Sequence, residues 1–122
     1  MKKGKNPLAH EPQNVQSAAC NPFPVALLRH DAYTAPALRT AVGQVMDAAC
    51  LTEYYPLRPG ARVLVKPNLL MAKHLACTSS EVVAAVCAWI MDHGAKVRVA
   101  DSPGFGRAVT VARAVGLEAA LR

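Results

Sequence analysis

Val63-Leu64-Val65 followed at once by Lys66-Pro67-Asn68 is the feature that most restricts what this chain can fold into. Three consecutive apolar residues, two of them β-branched, read as a short strand buried on both faces, the habit of strands in parallel sheets. Pro67 has no N–H to give to a ladder and drives Lys66 toward extended geometry. The strand therefore stops with a cation and an amide side by side. In open α/β sheets ligands sit just outside the carboxyl ends of the strands, which makes Lys66 and Asn68 candidate binding residues.

The flanking sequence supplies further elements of the same kind. Val25 to Leu28, approached through Pro22 and Pro24, reads as a first strand with Arg29, His30 and Asp31 at its carboxyl end. Thr34 and Pro36 suit a helix start. Leu38, Val42, Val45, Met46 and Ala49 then recur at helical spacing to a stop near Leu51. Tyr54-Tyr55-Pro56 and Arg58-Pro59-Gly60 turn the chain into the Val63 strand. Thr78-Ser79-Ser80-Glu81 has the capping-box spacing, Val82, Val83, Val86, Trp89 and Ile90 form an apolar face, and Gly94 is a left-handed stop. Lys96 to Ala100 is the third strand and ends at Asp101. Ser102-Pro103-Gly104-Phe105-Gly106 is a tight loop, and Arg107 to Val115 is a third helix closed by Gly116.

The order β-α-β-α-β-α predicts a three-layer α/β fold with a mainly parallel sheet and right-handed crossovers. Three parallel strands leave edges and faces to be covered, so the sheet is expected to be incomplete. The expected organisation is a flexible N-terminal tail over residues 1–22 and an α/β unit over residues 23–122. That unit reads as the N-terminal part of a larger domain, its sheet completed by a C-terminal segment or a second polypeptide.

Charge and composition narrow the partners. The 122-residue chain carries a formal charge of +6, part of it in Lys2, Lys3 and Lys5. Its few aromatics are not interleaved with the basic residues as a stacking platform requires, so a small anionic ligand is expected and nucleic acid is not. No apolar run reaches the ~18 residues of a membrane span, and no apolar region follows the basic start as in a secretory signal. The expectation is a cytoplasmic protein with no membrane partner. Cys20, Cys50, Cys77 and Cys87 form no C-x-x-C pair and read as reduced thiols; Cys50 and Cys87 lie on apolar helical stretches, as small hydrophobes do.

The candidate site gathers at the strand ends. If the second and third strands are neighbours, Lys66 and Asn68 converge with Asp101 and Ser102 on one edge of the sheet. Lysine offers a compact cation for phosphate or carboxylate, and asparagine both donates and accepts. Asp101 could take a metal ion, hold a water, or pair with Lys66 as a structural ion pair. Gly104 and Gly106 before a helix could bring backbone amides against an anion, with Arg107 adding charge, although the glycines equally serve a tight turn. No dinucleotide or P-loop motif is present. His74 and Cys77, three apart in the adjoining loop, are the weak metal candidates, against the plainer reading of a solvated loop pair. His30 is similarly placed, and His93 suits a helix C-terminus. No catalytic triad, nucleophile elbow or pair of catalytic carboxylates is present, so no reaction is assigned.

Val63-Leu64-Val65-Lys66-Pro67-Asn68, Thr78 before a helix with Val82-Val83, Gly94-Ala95-Lys96, and Asp101-Ser102-Pro103-Gly104 occur in an order and spacing that resembles domain-of-unknown-function family 362. The resemblance covers about residues 25 to 121, and the opening strand followed by Tyr33 and a helix fits the family's usual start. It implies an α/β fold and an iron–sulfur, redox-related context, because many members carry ferredoxin-like cysteine motifs for [4Fe-4S] clusters. The C-x₂-C-x₂-C-x₃-C-P run that holds such clusters is absent from this chain, so a cluster would need ligands from elsewhere. Two functional expectations follow: the N-terminal portion of an iron–sulfur-associated protein with a ligand or metal site at the strand ends, or a Rossmann-like module binding a small anion without redox chemistry. A truncated fragment without activity of its own is the third.

Overall fold

One helix organises the packing. In a computed structural model that describes residues 24–122, α3 (Ser80–Asp92) is buried on several sides at once through Val83, Ala85, Cys87, Trp89 and Ile90. An earlier helix, α1 (Ala35–Ala48), lies along it and buries Leu38 and Ala41. Trp89 is the seam between the two. Its indole N–H donates to Asp47 Oδ1 at 2.8 Å, and Gly43 lies against the ring, where a Cβ would stand 3.6 Å from its Cδ1, an ordinary contact distance. Arg39 closes the other end with a two-armed hydrogen bond to Asp92 at 2.8 and 2.9 Å.

The sheet has two parallel strands, β1 (Arg62–Val65) and β2 (Lys96–Val99), in the register Arg62 to Lys96, Val63 to Val97, Leu64 to Arg98 and Val65 to Val99. Their exposure alternates residue by residue. Val63, Val65, Val97 and Val99 pack toward the helices, while Arg62, Leu64, Lys96 and Arg98 point away, Leu64 being 62% exposed. The expectation of strands buried on both faces is therefore corrected to one face. Lys-Val-Arg-Val has the period-2 alternation of a half-covered strand.

Two clusters fill that covered face. Leu69, Val83, Cys87, Val111, Val115 and Leu117 form one, tying α3 to α4 (Ala108–Ala114) and α5 (Leu117–Ala120). Trp89, Ile90 and Ala95 form the other, with Met46, Leu57 and Val63 packed against it. Burial pushes the Cys87 thiol pKa up, which keeps it protonated and apolar.

The α/β class is as expected, but the three-layer β-α-β-α-β-α order is not reproduced. Residues 25–28 form no strand; Val25 and Leu27 are exposed while Ala26 and Leu28 are half-buried. Alternating contact is present there, but a ladder also needs the edge of a neighbour at hydrogen-bonding distance, which sequence pattern cannot supply. The first helix ends before Leu51, because Cys50 adopts a left-handed conformation (φ 52°) and separates α1 from α2 (Leu51–Tyr54). Cys50 thus sits in a helix junction and not on a helix. The expected tail, residues 1–22, with Cys20 and its lysines, lies outside the described residues.

Gly94 is the stop the pattern predicts. Its φ is +79°, its carbonyl accepts from Gly60 N–H at 2.8 Å, and a Cβ there would come within 3.3 Å of the Pro59 Cα. Gly94→Ala is expected to cost about 1–2 kcal/mol from the left-handed backbone alone. A lower urea midpoint at unchanged slope would show it; an unchanged midpoint would refute it.

Candidate functional site

The two strand ends are pinned together by one carboxylate. Lys66 Nζ lies 2.6 Å from Asp101 Oδ1, and Leu69 N–H donates to Asp101 Oδ2 at 2.7 Å. The Ser102 N–H also hydrogen-bonds to this carboxylate. Pro67 is buried between them, and Ala100 N–H donates to Val65 O at 3.1 Å, so the two chains leave the sheet side by side. The Asp101 side chain is 4% exposed and that of Lys66 68% exposed. The Lys66 hydrogen bond, followed by that from Leu69 N–H, holds the Asp101 pKa below the ordinary aspartate value.

An ammonium has three donors. In Lys66 one is committed to Asp101, a second makes a long 3.4 Å contact to Pro67 O, and the head faces solvent. The pair is therefore structural on its aspartate side and open on its lysine side. Lys66 can still take an oxygen of an anion without leaving Asp101.

Asn68 does not join them. Its Nδ2 donates to Ala76 O at 2.9 Å, its backbone N–H donates to Thr78 Oγ1 at 2.9 Å, and its carbonyl accepts from Thr78 N–H at 2.8 Å. These bonds close the loop over residues 69–77, whose base is an antiparallel bridge between Leu69 and Cys77. Asn68 is a loop clamp. Thr78 is spent on the same clamp, so the capping box is not formed; Ser79 is the residue before α3, and its hydroxyl donates to Glu81 Oε2 at 2.6 Å, which lowers the Glu81 pKa.

The second loop carries the remaining candidates. Ser102 is exposed beside Asp101, and Gly104 accommodates Leu70, whose Cδ1 lies 2.8 Å from the position a Cβ would take. Gly106 has φ +86°, and the exposed Arg107 immediately precedes α4, a helix of seven residues. The glycines thus serve the turn and its close approach to Leu70. His74 opens a 3₁₀ turn (His74–Ala76), and the Cys77 thiol donates to Met71 O at 3.0 Å. Among the described residues no three His, Cys, Asp or Glu side chains come together as a metal site. His93 Nδ1–H donates to Trp89 O at 2.8 Å, and His30 Nε2 is buried without a partner among the described residues.

A cavity of about 240 Å³ lies beside Asp101, lined by Leu69, Val99, Ala108, Ala112 and Leu117. It falls short of the ~300 Å³ at which ordinary ligand pockets begin, so it has room for only a small group. Sequence reasoning found the Lys66 and Asp101 pair but missed Leu69 N–H and Thr78. The Thr in a capping-box position concealed a different use of the same hydroxyl.

With this geometry in view, the chain was compared with known proteins. The family described as "Domain of unknown function (DUF362)" matches residues 63–122, which hold β1, the clamp loop, α3, β2 and the Asp101 loop. The chain carries a DUF362 segment. The Lys66-Pro67-Asn68 and Asp101-Ser102-Pro103-Gly104 motifs that bear the resemblance both fall inside it. A relative, Thylakoid-associated protein sll1697 of Synechocystis sp., is 37% identical over 91 residues, covering 72% of this chain and 28% of its own length. The chain thus spans under a third of that relative. No solved structure matches it significantly. Among the described residues no helix of the DUF362 segment or of the part before it is long and apolar enough to cross a membrane.

Proposed function

We propose that this chain is an anion-binding module in which the carboxyl ends of β1 and β2 present Lys66, steadied by Asp101, to a small anionic group, with Arg107 as a second cation. One observation carries the reading: the Lys66 ammonium is anchored 2.6 Å from Asp101 while its side chain stays 68% exposed. A held cation loses less side-chain entropy on binding than a free one. The proposal places the protein in the cytoplasm, and the printed name of the cyanobacterial relative adds a membrane surface as one place where such a site would work.

The redox reading stands on the family resemblance. Under it, Lys66, Asp101 and Ser102 would line a ligand or metal site, and a second polypeptide or a further segment would supply the cysteines of a [4Fe-4S] cluster. Iron and sulfide analysis after anaerobic reconstitution tests that version.

Thermal melting with inorganic phosphate at constant ionic strength tests the anion site. A ligand at ten times its Kd stabilises by about 1.4 kcal/mol. Lys66→Met is expected to remove the phosphate increment and Lys66→Arg to retain it. Equal increments in wild type and Lys66→Met would refute the site. The phosphate-free loss in Lys66→Met reports the ion pair separately.

A further inference from the structure

The two loops that leave the sheet are joined. Phe105 N–H donates to Leu70 O at 3.0 Å, and Leu70 packs into the space left by Gly104. The first loop is stiff, because Asn68, Thr78 and the Leu69–Cys77 bridge close its base and Ala76 N–H and Cys77 N–H tighten its tip by bonding to Lys73 O and His74 O. Yet that tip holds Leu75 fully exposed, Leu70 is exposed at the base of the same loop, and Phe105 is 66% exposed between two glycines. Single exposed apolar residues need no explanation, but here three sit on two loops joined by a hydrogen bond.

Cations stand on or next to the same loops in sequence. Lys66, Lys73 and Arg107 are exposed, and the latter two make no ion pair among the described residues. The acids nearby are muted: Asp101 is buried under Lys66, and Glu81 is held by Ser79.

We propose that this end of the molecule docks on an anionic lipid surface. Leu75, Phe105 and Leu70 enter the boundary between headgroups and acyl chains, and Lys73, Arg107 and Lys66 meet headgroup phosphates. The proposal names the partner of the anion-binding end and rests on that reading for Lys66 alone. Rigid apolar tips with cations on or next to the same loops suit a fluid surface. A stable protein partner needs about 800 Å² per side of shaped contact, more than two protruding loops offer.

Vesicle flotation of the full chain decides it, using vesicles of phosphatidylcholine alone and with an equal share of phosphatidylglycerol. The wild type is expected to float with the anionic vesicles, weakly at high salt, and not with the neutral ones. The double variant Leu75→Ser, Phe105→Ser is expected to lower partitioning by about tenfold or more while melting and phosphate stabilisation stay unchanged. No flotation of the wild type overturns the proposal. So does flotation that survives the double variant and vanishes in Lys73→Gln, Arg107→Gln, which is charge adsorption without insertion. No phosphate increment in the wild type, with its flotation retained, would sink the Lys66 site and leave the docking surface standing.

Discussion

Trp89→Ala is expected to destabilise the protein by about 3–5 kcal/mol, the range for removing a buried tryptophan. The ring is 7% exposed and joins α1 to α3: it packs with Ile90 and Ala95 against Met46 and Leu51, lies 4.3 Å from the His93 ring, and hydrogen-bonds Asp47. Removing it opens the seam on which the only extensive helix–helix contact of α1 depends among the described residues. Since domains of this size hold roughly 5–15 kcal/mol in all, the variant should stand near the edge of unfolding. Trp89→Phe keeps most of the packing and gives up the Asp47 bond, at a cost of about 1 kcal/mol. Urea unfolding of the three proteins separates the terms. A loss below about 1 kcal/mol in Trp89→Ala would mean that α1 is not held by this side chain.

Asp101→Ala should also destabilise strongly, because it strips the acceptor from Leu69 N–H and the partner from Lys66 at the point where both strands end. Asp101→Asn separates the two roles. Its amide oxygen can still accept from Leu69, so it should recover part of the loss and leave the charge interaction missing. The pH dependence follows from the lowered Asp101 pKa. A carboxyl whose folded pKa lies below its unfolded one stabilises fully above the unfolded value and loses that stabilisation as pH falls through the folded one. The gap between wild type and Asp101→Asn should therefore stay constant from neutral pH down to the ordinary aspartate range and close below it. A gap that closes well above that range would show that the Asp101 charge is not what stabilises the strand ends.

Legibility varied along the chain for physical reasons. Val63 to Pro67 announced its strand and stop because both depend on the residues themselves: β-branched packing, then a ring with no N–H. Gly94 and Gly116 announced helix ends because left-handed backbone excludes most other residues, and both have positive φ in the fold. The capping box failed because a threonine hydroxyl serves any donor that reaches it first, and Asn68 N–H arrives from ten residues away. The exposed loop tips were invisible in hydropathy, since Leu75 and Phe105 stand alone among polar and small residues and Leu70 belongs to an apolar Leu69-Leu70-Met71 run whose exposure the fold decides.

By itself the sequence determined the α/β class, the places where β1, α3 and β2 begin and end, and the presence of a lysine at one strand end and an aspartate at another, because each follows from local stereochemistry; that the two strands are neighbours is a tertiary outcome. Only the tertiary structure decided that the sheet has two strands with one open face, that Asn68 clamps a loop while Asp101 ties two chain segments, and that Lys66 is anchored yet open to solvent. Those outcomes depend on which groups meet across tens of residues of chain, and side-chain direction at such meetings is set by packing and not by residue type.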